Sequence, residues 1–510
     1  MSRLQPCCWS WPLGAEDEKT RGAMVDYEYE GSKCRNCLGI ATALSVLLAG
    51  CSFAPPHVRP AQPVPQSYRG VASESTSIAR IDWYDFFREE HLRALIAAAL
   101  ENNRDIRIAA ARVAQARAAW RIEGAALYPE LDAVGAGTRG RSVVSFPGLG
   151  TQAYDIKQVT AQLSAGWEID FWGRLRNLKE AARSDYLATE EARRAIATDL
   201  VAQVANGYLL EREYEEREAL ARQTIATRVE SLRILRRRYE VGSGSKLEMT
   251  QAQMLLAQAE TALHALDQDR EVNRNALDLL VGRPAEIAPG PLGLAQAAPE
   301  IMLPPGLPSE LLVNRPDVVA AEYRLRSADA NIGAARAAFL PNINLTGSFG
   351  TGSSDLDGLF KDGSRIWSFA PTIAMPLFNA GRLKGNLDLA KARRVEAVAD
   401  YERTVQSAFR DVSDALVRRR QIGLQIDTTR AMLDALRERA RLAQLRFDNG
   451  RSAYLEVLDA QRDLFETEQA LVQLRRAHLA TGVALYAALG GGFLNTAFDT
   501  NAAQTGGQAR

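Results

Sequence analysis

The chain contains no apolar run of about eighteen residues or more, which excludes an architecture of membrane-spanning helices. Neither sign of charge predominates, with 62 Lys and Arg against 62 Asp and Glu. That balance gives no support to nucleic acid or to an acidic surface as a partner. Histidine is rare: His57, His91, His264 and His478 are scattered, and none has metal-ligand spacing with another histidine or a cysteine. Gly242-Ser243-Gly244 and Gly490-Gly491-Gly492 are not followed by phosphate-loop residues, and the paired carboxylates have no pocket context. An enzyme is therefore rejected, and neither a metal nor another cofactor is expected.

Cysteine is almost missing from the body of the chain. Cys7, Cys8, Cys34 and Cys37 lie near the N-terminus, and Cys51 is the last. Lys33 and Arg35 precede an apolar run from Leu38 to Leu48, closed by Leu48-Ala49-Gly50-Cys51. A basic start, a short apolar middle and a small-residue end make an export signal, too short to span a bilayer. Cys51 after Leu-Ala-Gly resembles the bacterial lipoprotein cleavage box, in which Cys51 becomes the lipidated first residue. The bland alternative is a chance cysteine beside a plain signal. Ser52 rather than Asp follows, which resembles lipoproteins sent on to the outer membrane. The signal begins late, which leaves Met24 or a nearby codon as an alternative start. The other four cysteines precede the cut, so Cys34-Arg-Asn-Cys37 carries no functional weight despite its redox spacing. Without disulfides, an exported chain must hold together by packing or oligomerisation.

What the chain does contain is a repeat. Arg446 to Gln461 aligns without a gap on Arg238 to Gln253, 208 residues upstream, with six of sixteen positions identical. A match at fixed offset means a duplicated unit. Gly242 and Gly450 supply a positive-φ stop between an outgoing and a returning helix. Gly173 to about Tyr239 has no proline and one further glycine, room for roughly 65 helical residues or ~100 Å. Arg382 to Phe447 repeats this. Leu433, Leu436, Ala440, Ala443 and Phe447 step as a heptad seam, continued by Leu464, Leu471, His478 and Leu485. His478 reads there as a packing residue. Arginine interleaved with Glu and Asp at helical spacing reads as a solvated helix face.

Before each long helix the period changes to two. Val159, Ala161, Leu163, Ala165, Trp167 and Ile169 alternate with polar residues, and Trp367, Phe369, Pro371, Ile373, Met375 and Leu377 follow 208 residues on. One apolar face at this period fits a strand between lipid and water. Leu131, Ala133 and Gly135 parallel Ile343, Leu345 and Gly347, so each unit carries a two-stranded hairpin. The repeat offset changes from 212 (Pro129/Pro341) to 208 (Val159/Trp367), which places an exposed hairpin tip at Arg139 to Tyr154. A helical run is expected from about His91 to Ala126, stopped by Pro129. Four strands of about ten residues cannot close a barrel, and open edges cannot face lipid, so several copies must share one sheet. The expected organisation is an extension and signal over 1–50, a proline-rich tether over 51–80 reading as an extended spacer, and a first unit over 81–283. A linker over 284–310, a second unit over 311–490 and a flexible tail over 491–510 complete it.

Leu311-Leu312-Val313-Asn314-Arg315-Pro316-Asp317-Val318-Val319-Ala320-Ala321-Glu322, Ala338 to Leu345 and Phe447 to Gln461 together resemble the TolC-type outer-membrane efflux factors, in the lipoprotein branch that serves resistance-nodulation-division pumps. The likeness covers about residues 80 to 490. It implies an α+β membrane protein: a homotrimer whose twelve strands, four per chain, form one transmembrane β-barrel continuous with a long antiparallel α-helical coiled-coil barrel in the periplasm. It also implies a periplasmic adaptor and an inner-membrane pump as partners, with outer-membrane lipid around the barrel.

The resemblance makes the turn sequences the narrow end of the tunnel. Asp459 aligns with an acidic residue that forms a ring at the constriction, where three carboxylates repel, favour cations and raise each other's pKa. The alternative is a solvated helix residue. Glu456 and Glu248 occupy matching positions near this periplasmic aperture. Phe447 stands where the family often has tyrosine, which removes a hydroxyl-to-carboxylate latch; Tyr239 could compensate in the other repeat. Val241, Gly242, Ser243, Asn449, Gly450 and Arg451 are where adaptor hairpins would dock, against the plainer reading of turn chemistry alone. The expected function is a passive export duct for drugs or other small toxic solutes. Alternatives are a type I secretion or metal-efflux channel, and, from another class, a lipid-anchored periplasmic adaptor with a single helical hairpin flanked by small β-domains. A lack of Met or His clusters weighs against soft metals.

Overall fold

The computed structural model describes residues 53–61, 63–65, 67–68, 81–146, 150–287, 294 and 311–492. Cys51, the signal before it and most of the 284–310 connection lie outside the described residues. In the first unit α1 (Trp83–Phe86) and α2 (Glu90–Asn102) precede α3 (Arg104–Ala125), the strands β1 (Glu130–Phe146) and β2 (Gly150–Ile169), and the helices α4 (Arg174–Glu240) and α5 (Lys246–Val281). The second unit has α6 (Leu311–Asn314), α7 (Pro316–Ala337), β3 (Asn342–Ser353), β4 (Arg365–Ala374), α8 (Arg382–Asp448) and α9 (Tyr454–Ala488). The units match element by element: α3 and α7 have 22 residues each, and α4 and α8 have 67. Helices of 67 residues extend about 100 Å.

Two helices replace the single run expected from His91 to Ala126. Asn103 interrupts it with extended backbone (φ −60, ψ 138). Its Oδ1 accepts the N–H groups of Asp105 at 2.7 Å and Ile106 at 3.2 Å, and its Nδ2 donates to the Leu280 carbonyl at 2.8 Å. An N-cap tied to a distant helix end outweighs the helix propensity of the alanines on either side. The corresponding start of α7 is held by Arg315, which bridges Asp317 at 2.7 Å, Asp411 at 3.2 Å and the Ala488 carbonyl at 3.2 Å. The Asn-Arg-Pro-Asp sequence thus fastens α7 to α8 and to the end of α9.

The strands form one antiparallel sheet in the order β1-β2-β3-β4, with β1 and β4 as free edges. The first hairpin is longer than expected. Pairing continues through Arg139↔Lys157 and Arg141↔Asp155 to Phe146↔Gly150, so the Arg139–Tyr154 stretch is mostly strand rather than loop. The Arg141↔Asp155 pair and the β-branched Val143 favour continuing the ladder. The second hairpin closes instead through a 3-10 turn at Leu356–Gly358.

The N-terminal stretch does not behave as a free spacer over its described part. The Phe53 carbonyl accepts from Arg336 at 2.9 Å, and the Tyr68 ring stacks on Phe409 at 5.1 Å. Between them His57 reaches Asp329 at 3.1 Å and Glu322 at 3.5 Å, and Arg59 reaches Glu322 at 2.6 Å. Burial acts to raise the Glu322 pKa, but hydrogen bonds from Arg326 and Arg59 outweigh it and hold the carboxyl below its ordinary value. Prolines that pre-extend the segment also reduce the entropy lost when it docks along α7 and α8.

The apolar core is discontinuous along α4. An upper cluster unites Val201, Val204 and Tyr208 with Ile96 of α2 and Tyr486 of α9. A lower cluster at the far end joins Leu232 and Leu235 to Leu255, Val457 and Leu458. Between them Glu211, Arg212, Glu213, Glu218 and Arg228 are buried, so this face is not the solvated one that the charge spacing suggests. Glu211, Arg212, Glu213 and Glu218 each meet an opposite charge across or along the helix, whereas Arg228 donates to the Leu255 carbonyl and lies over the Phe465 ring.

Candidate functional site

The sheet sorts its side chains by parity. Opposed residues share a face, and the registers place Leu131, Ala133, Ala161, Leu163, Ala165, Trp167, Leu345, Phe349, Trp367, Phe369 and Ile373 on one side. Leu131, Leu163, Phe349, Trp367, Phe369 and Ile373 are all exposed there. The opposite side carries Asp132, Gln162, Ser164, Asn344, Thr346, Ser348 and Thr372, with Ser348 and Ser368 hydroxyls 2.8 Å apart. Past Gly137↔Val159 the first face turns charged at Arg139, Arg141, Asp155 and Lys157. An apolar band bounded in this way is a lipid-facing belt with a wet face behind it and a water-exposed extension beyond.

Indole donors fix the base of the belt. Trp167 Nε1 donates to the Leu127 carbonyl at 3.0 Å and Trp172 Nε1 to the Pro341 carbonyl at 2.8 Å, tying β2 to the turns after α3 and α7. Asp170 caps α4, accepting the Leu175 and Arg176 N–H groups at 3.0 and 2.8 Å.

At the other end both long helices stop in the same way. Gly242 (φ 77) and Gly450 (φ 69) are left-handed. The N–H of Ser243 reaches the Arg238 carbonyl at 2.9 Å and that of Gly242 reaches Tyr239 at 3.0 Å; Arg451 to Arg446 and Gly450 to Phe447 repeat this at 2.8 Å each. This is the Schellman pattern, for which a Cβ is costly. Replacing Gly450 by alanine is expected to cost about 1–2 kcal/mol of local stability, read as faster amide exchange at the end of α8. The returning helices differ: Ser245 Oγ accepts the Leu247 N–H at 3.1 Å, whereas Ala453 offers α9 no side-chain cap.

Val241, Gly242, Ser243, Asn449, Gly450 and Arg451 all lie exposed at this end. The three carboxylates assigned to the aperture have separate surroundings within one chain. Glu456 pairs with Arg446 at 3.2 Å, Asp459 lies 3.5 Å from Arg462, and Glu248 occupies the first turn of α5. Sequence reasoning missed the centre of the tip. Tyr454 is buried, with its ring 4.7 Å from Phe447, over which the Arg238 guanidinium also lies at 4.7 Å. Burial, above all, pushes the Tyr454 phenol up, against a hydrogen bond with Ser231 that pulls it down. Its counterpart in the repeat is Lys246, so repeat matching hid it; an aromatic preceding Val457 and Leu458 on one helical face was the available signal.

Midway up, Arg270 of α5 binds Glu211 at 2.7 Å, Glu215 at 2.7 Å and Glu218 at 3.0 Å, and Arg274 adds a 3.0 Å contact to Glu211. On the other flank of α4, Glu213 meets Arg476 of α9 at 2.8 Å. Glu211, Glu215 and Glu218 follow helical spacing toward two arginines four apart, a stripe visible in sequence whose burial was not.

A lipid-facing belt, a polar face behind it and two pairs of long arms form no reactive centre; they suit conduction. Two hairpin pairs with their strands also differ from the single hairpin of the adaptor alternative. The model of the family described as "Outer membrane efflux protein" matches residues 95–283 and 307–491. The solvent efflux pump outer membrane protein SrpC of Pseudomonas putida is 41% identical over 462 residues, covering 88% of this chain and 97% of that protein. The cation efflux system protein CusC of Escherichia coli O6:H1 is 37% identical over 461 residues, covering 90% and 99%. The open-state MtrE outer membrane channel of Neisseria gonorrhoeae superposes with a TM-score of 0.80 at 37% identity, covering 87% of this chain and 98% of that one. The chain therefore belongs to the outer membrane efflux protein family, as a non-enzymatic outer-membrane efflux channel.

Proposed function

We propose that three copies close a twelve-stranded barrel, anchored by lipid at Cys51, and that the tunnel below passively carries small toxic solutes outward. The observation that carries this reading is a four-stranded sheet with a complete lipid-facing belt and two unpaired edges. Such edges are not stable in a bilayer. A periplasmic adaptor docks on Val241, Gly242, Ser243, Asn449, Gly450 and Arg451, and an inner-membrane pump supplies the energy. Glu248, Glu456 and Asp459 border the aperture, where Asp459 forms the acidic ring and opening slides the paired arms apart. In the open state Asp459→Asn is expected to lower cation selectivity in planar bilayers while leaving assembly unchanged.

The decisive experiment removes the protein from its host and measures drug susceptibility and dye accumulation. Deletion is expected to raise accumulation several-fold, with restoration by the intact chain. Unchanged accumulation on full deletion would remove the efflux reading. The likeness to CusC favours a second cargo, metal cations, at similar identity. Sensitisation of the deletion strain to metal salts alone, with drugs and solvents unaffected, would establish that reading instead.

A further inference from the structure

We infer that the first hairpin carries a docking surface for phosphate-bearing lipid headgroups of the outer leaflet, built from Arg139, Arg141 and Lys157 just beyond the apolar belt. The inference rests on the belt and not on the number of copies.

The length of the belt sets the depth of these cations. From Ile169 to Val159 the lipid side of β2 is apolar, about ten residues at 3.3 Å each, or ~33 Å along the strand. At a strand tilt of about 40° this is roughly 25 Å along the membrane normal, the height of an outer-membrane apolar band. The next residue on that side is Lys157, opposite Arg139, and Arg141 stands one pair further out. The long helix α4 leaves the sheet at the other end, after Ile169, so the cations lie at the outer rim of the belt. That rim is where the hydrocarbon gives way to the headgroups of the outer leaflet.

Sidedness separates this surface from an ordinary hydrated loop. From Thr138 to Gln158 the charged residues are Arg139, Arg141, Asp155 and Lys157, and all of them have the parity of the lipid side. The other side carries Thr138, Gly140, Ser142, Ile156 and Gln158, without charge. Charges that only kept the hairpin hydrated would serve on either side. Here they are confined to the side continuous with lipid.

The pairing adds a second reason. β2 meets β3 only as far as Val159↔Ser353, so the first hairpin continues outward as a ribbon of two strands. Such a ribbon is marginal by itself, and Arg139↔Lys157 sets like charges directly opposite, which weakens it further. Both side chains are exposed, and among the described residues neither has a carboxylate partner. Opposed Cβ atoms stand about 5 Å apart, near enough for a guanidinium fork and an ammonium to hold one phosphate between them. The shared anion turns a repulsive pair into an attractive one. Asp155, opposite Arg141, is the acid on this side, so cations outnumber it. On the second hairpin the balance is reversed: Lys361 and Arg365 are outnumbered by Asp355, Asp357 and Asp362. Headgroup docking therefore belongs to the first hairpin.

The test uses the intact channel in detergent, incubated with lipid A or with the same lipid A stripped of its phosphates, and retained lipid is read by native mass spectrometry. The phosphorylated form is expected to be retained roughly tenfold better, and an excess of inorganic phosphate is expected not to displace it. Arg139→Gln with Lys157→Gln should abolish the preference, whereas Lys361→Gln should keep it. Equal retention of the two lipids by the unmodified channel overturns the inference without any variant. An unchanged preference in the double variant overturns it as well, as does an equal loss in Lys361→Gln. Displacement by inorganic phosphate would mean a small-anion site and not a lipid-docking surface. If the double variant does not assemble, Lys157→Gln alone is expected to lower the preference severalfold, and an undiminished preference there overturns the assignment.

Discussion

Leu163→Arg is expected to abolish assembly in the outer membrane, whereas Gln162→Arg, one residue away, is expected to assemble. Leu163 lies in the lipid-facing belt between Ala133 and Phe349, while Gln162 belongs to the opposite, polar face. An arginine at mid-depth on the lipid side costs about 2–4 kcal/mol, and the proposed three-copy barrel incurs that cost in every copy. A guanidinium on the wet face remains hydrated and alters ion preference instead. Heat-modifiable oligomer in outer-membrane fractions, measured by immunoblot, separates the two. Normal assembly of Leu163→Arg would mean that this face does not meet lipid.

The second large effect lies far from the membrane. Glu211 is fully buried and receives Arg270 Nε at 2.7 Å and Arg274 Nη2 at 3.0 Å. Glu211→Ala takes from Arg270 one of its three carboxylates and from Arg274 its buried partner, with an expected loss of about 1.5–3 kcal/mol per copy. The denaturant midpoint for loss of helicity should fall accordingly. Combining it with Arg270→Ala should cost less than the sum of the two single losses, because the bond between the two side chains is lost in each. Purely additive losses would show that the two side chains do not act as a pair.

The contrast between these sites explains what could be read in advance. Gly242 and Gly450, the 67-residue helices and the alternation through Trp167 are local patterns, and each appears where the pattern put it. The break at Asn103 was hidden because its deciding bond goes to Leu280, far along the chain. The docked segment was hidden for the same reason: prolines indicate extension, but Tyr68 meets Phe409 only in three dimensions. Glu211, Glu215 and Glu218 have the spacing of a solvated stripe, and only the arrival of α5 turns that stripe inward. The aperture residues are legible as positions in a turn and at helix starts. In the proposed three-copy ring Asp459 faces neighbouring copies, and no single chain carries that information.

The two raw margins of the sheet have a further consequence for how the channel is built. A pair of copies joined side by side still presents one margin at each end, as many as a lone copy does. In the proposed three-copy closure only the third arrival removes both together, so the gain from closing the ring comes in a single step. Incomplete rings should therefore be scarce at every protein concentration, and the population should divide between solitary chains and finished cylinders.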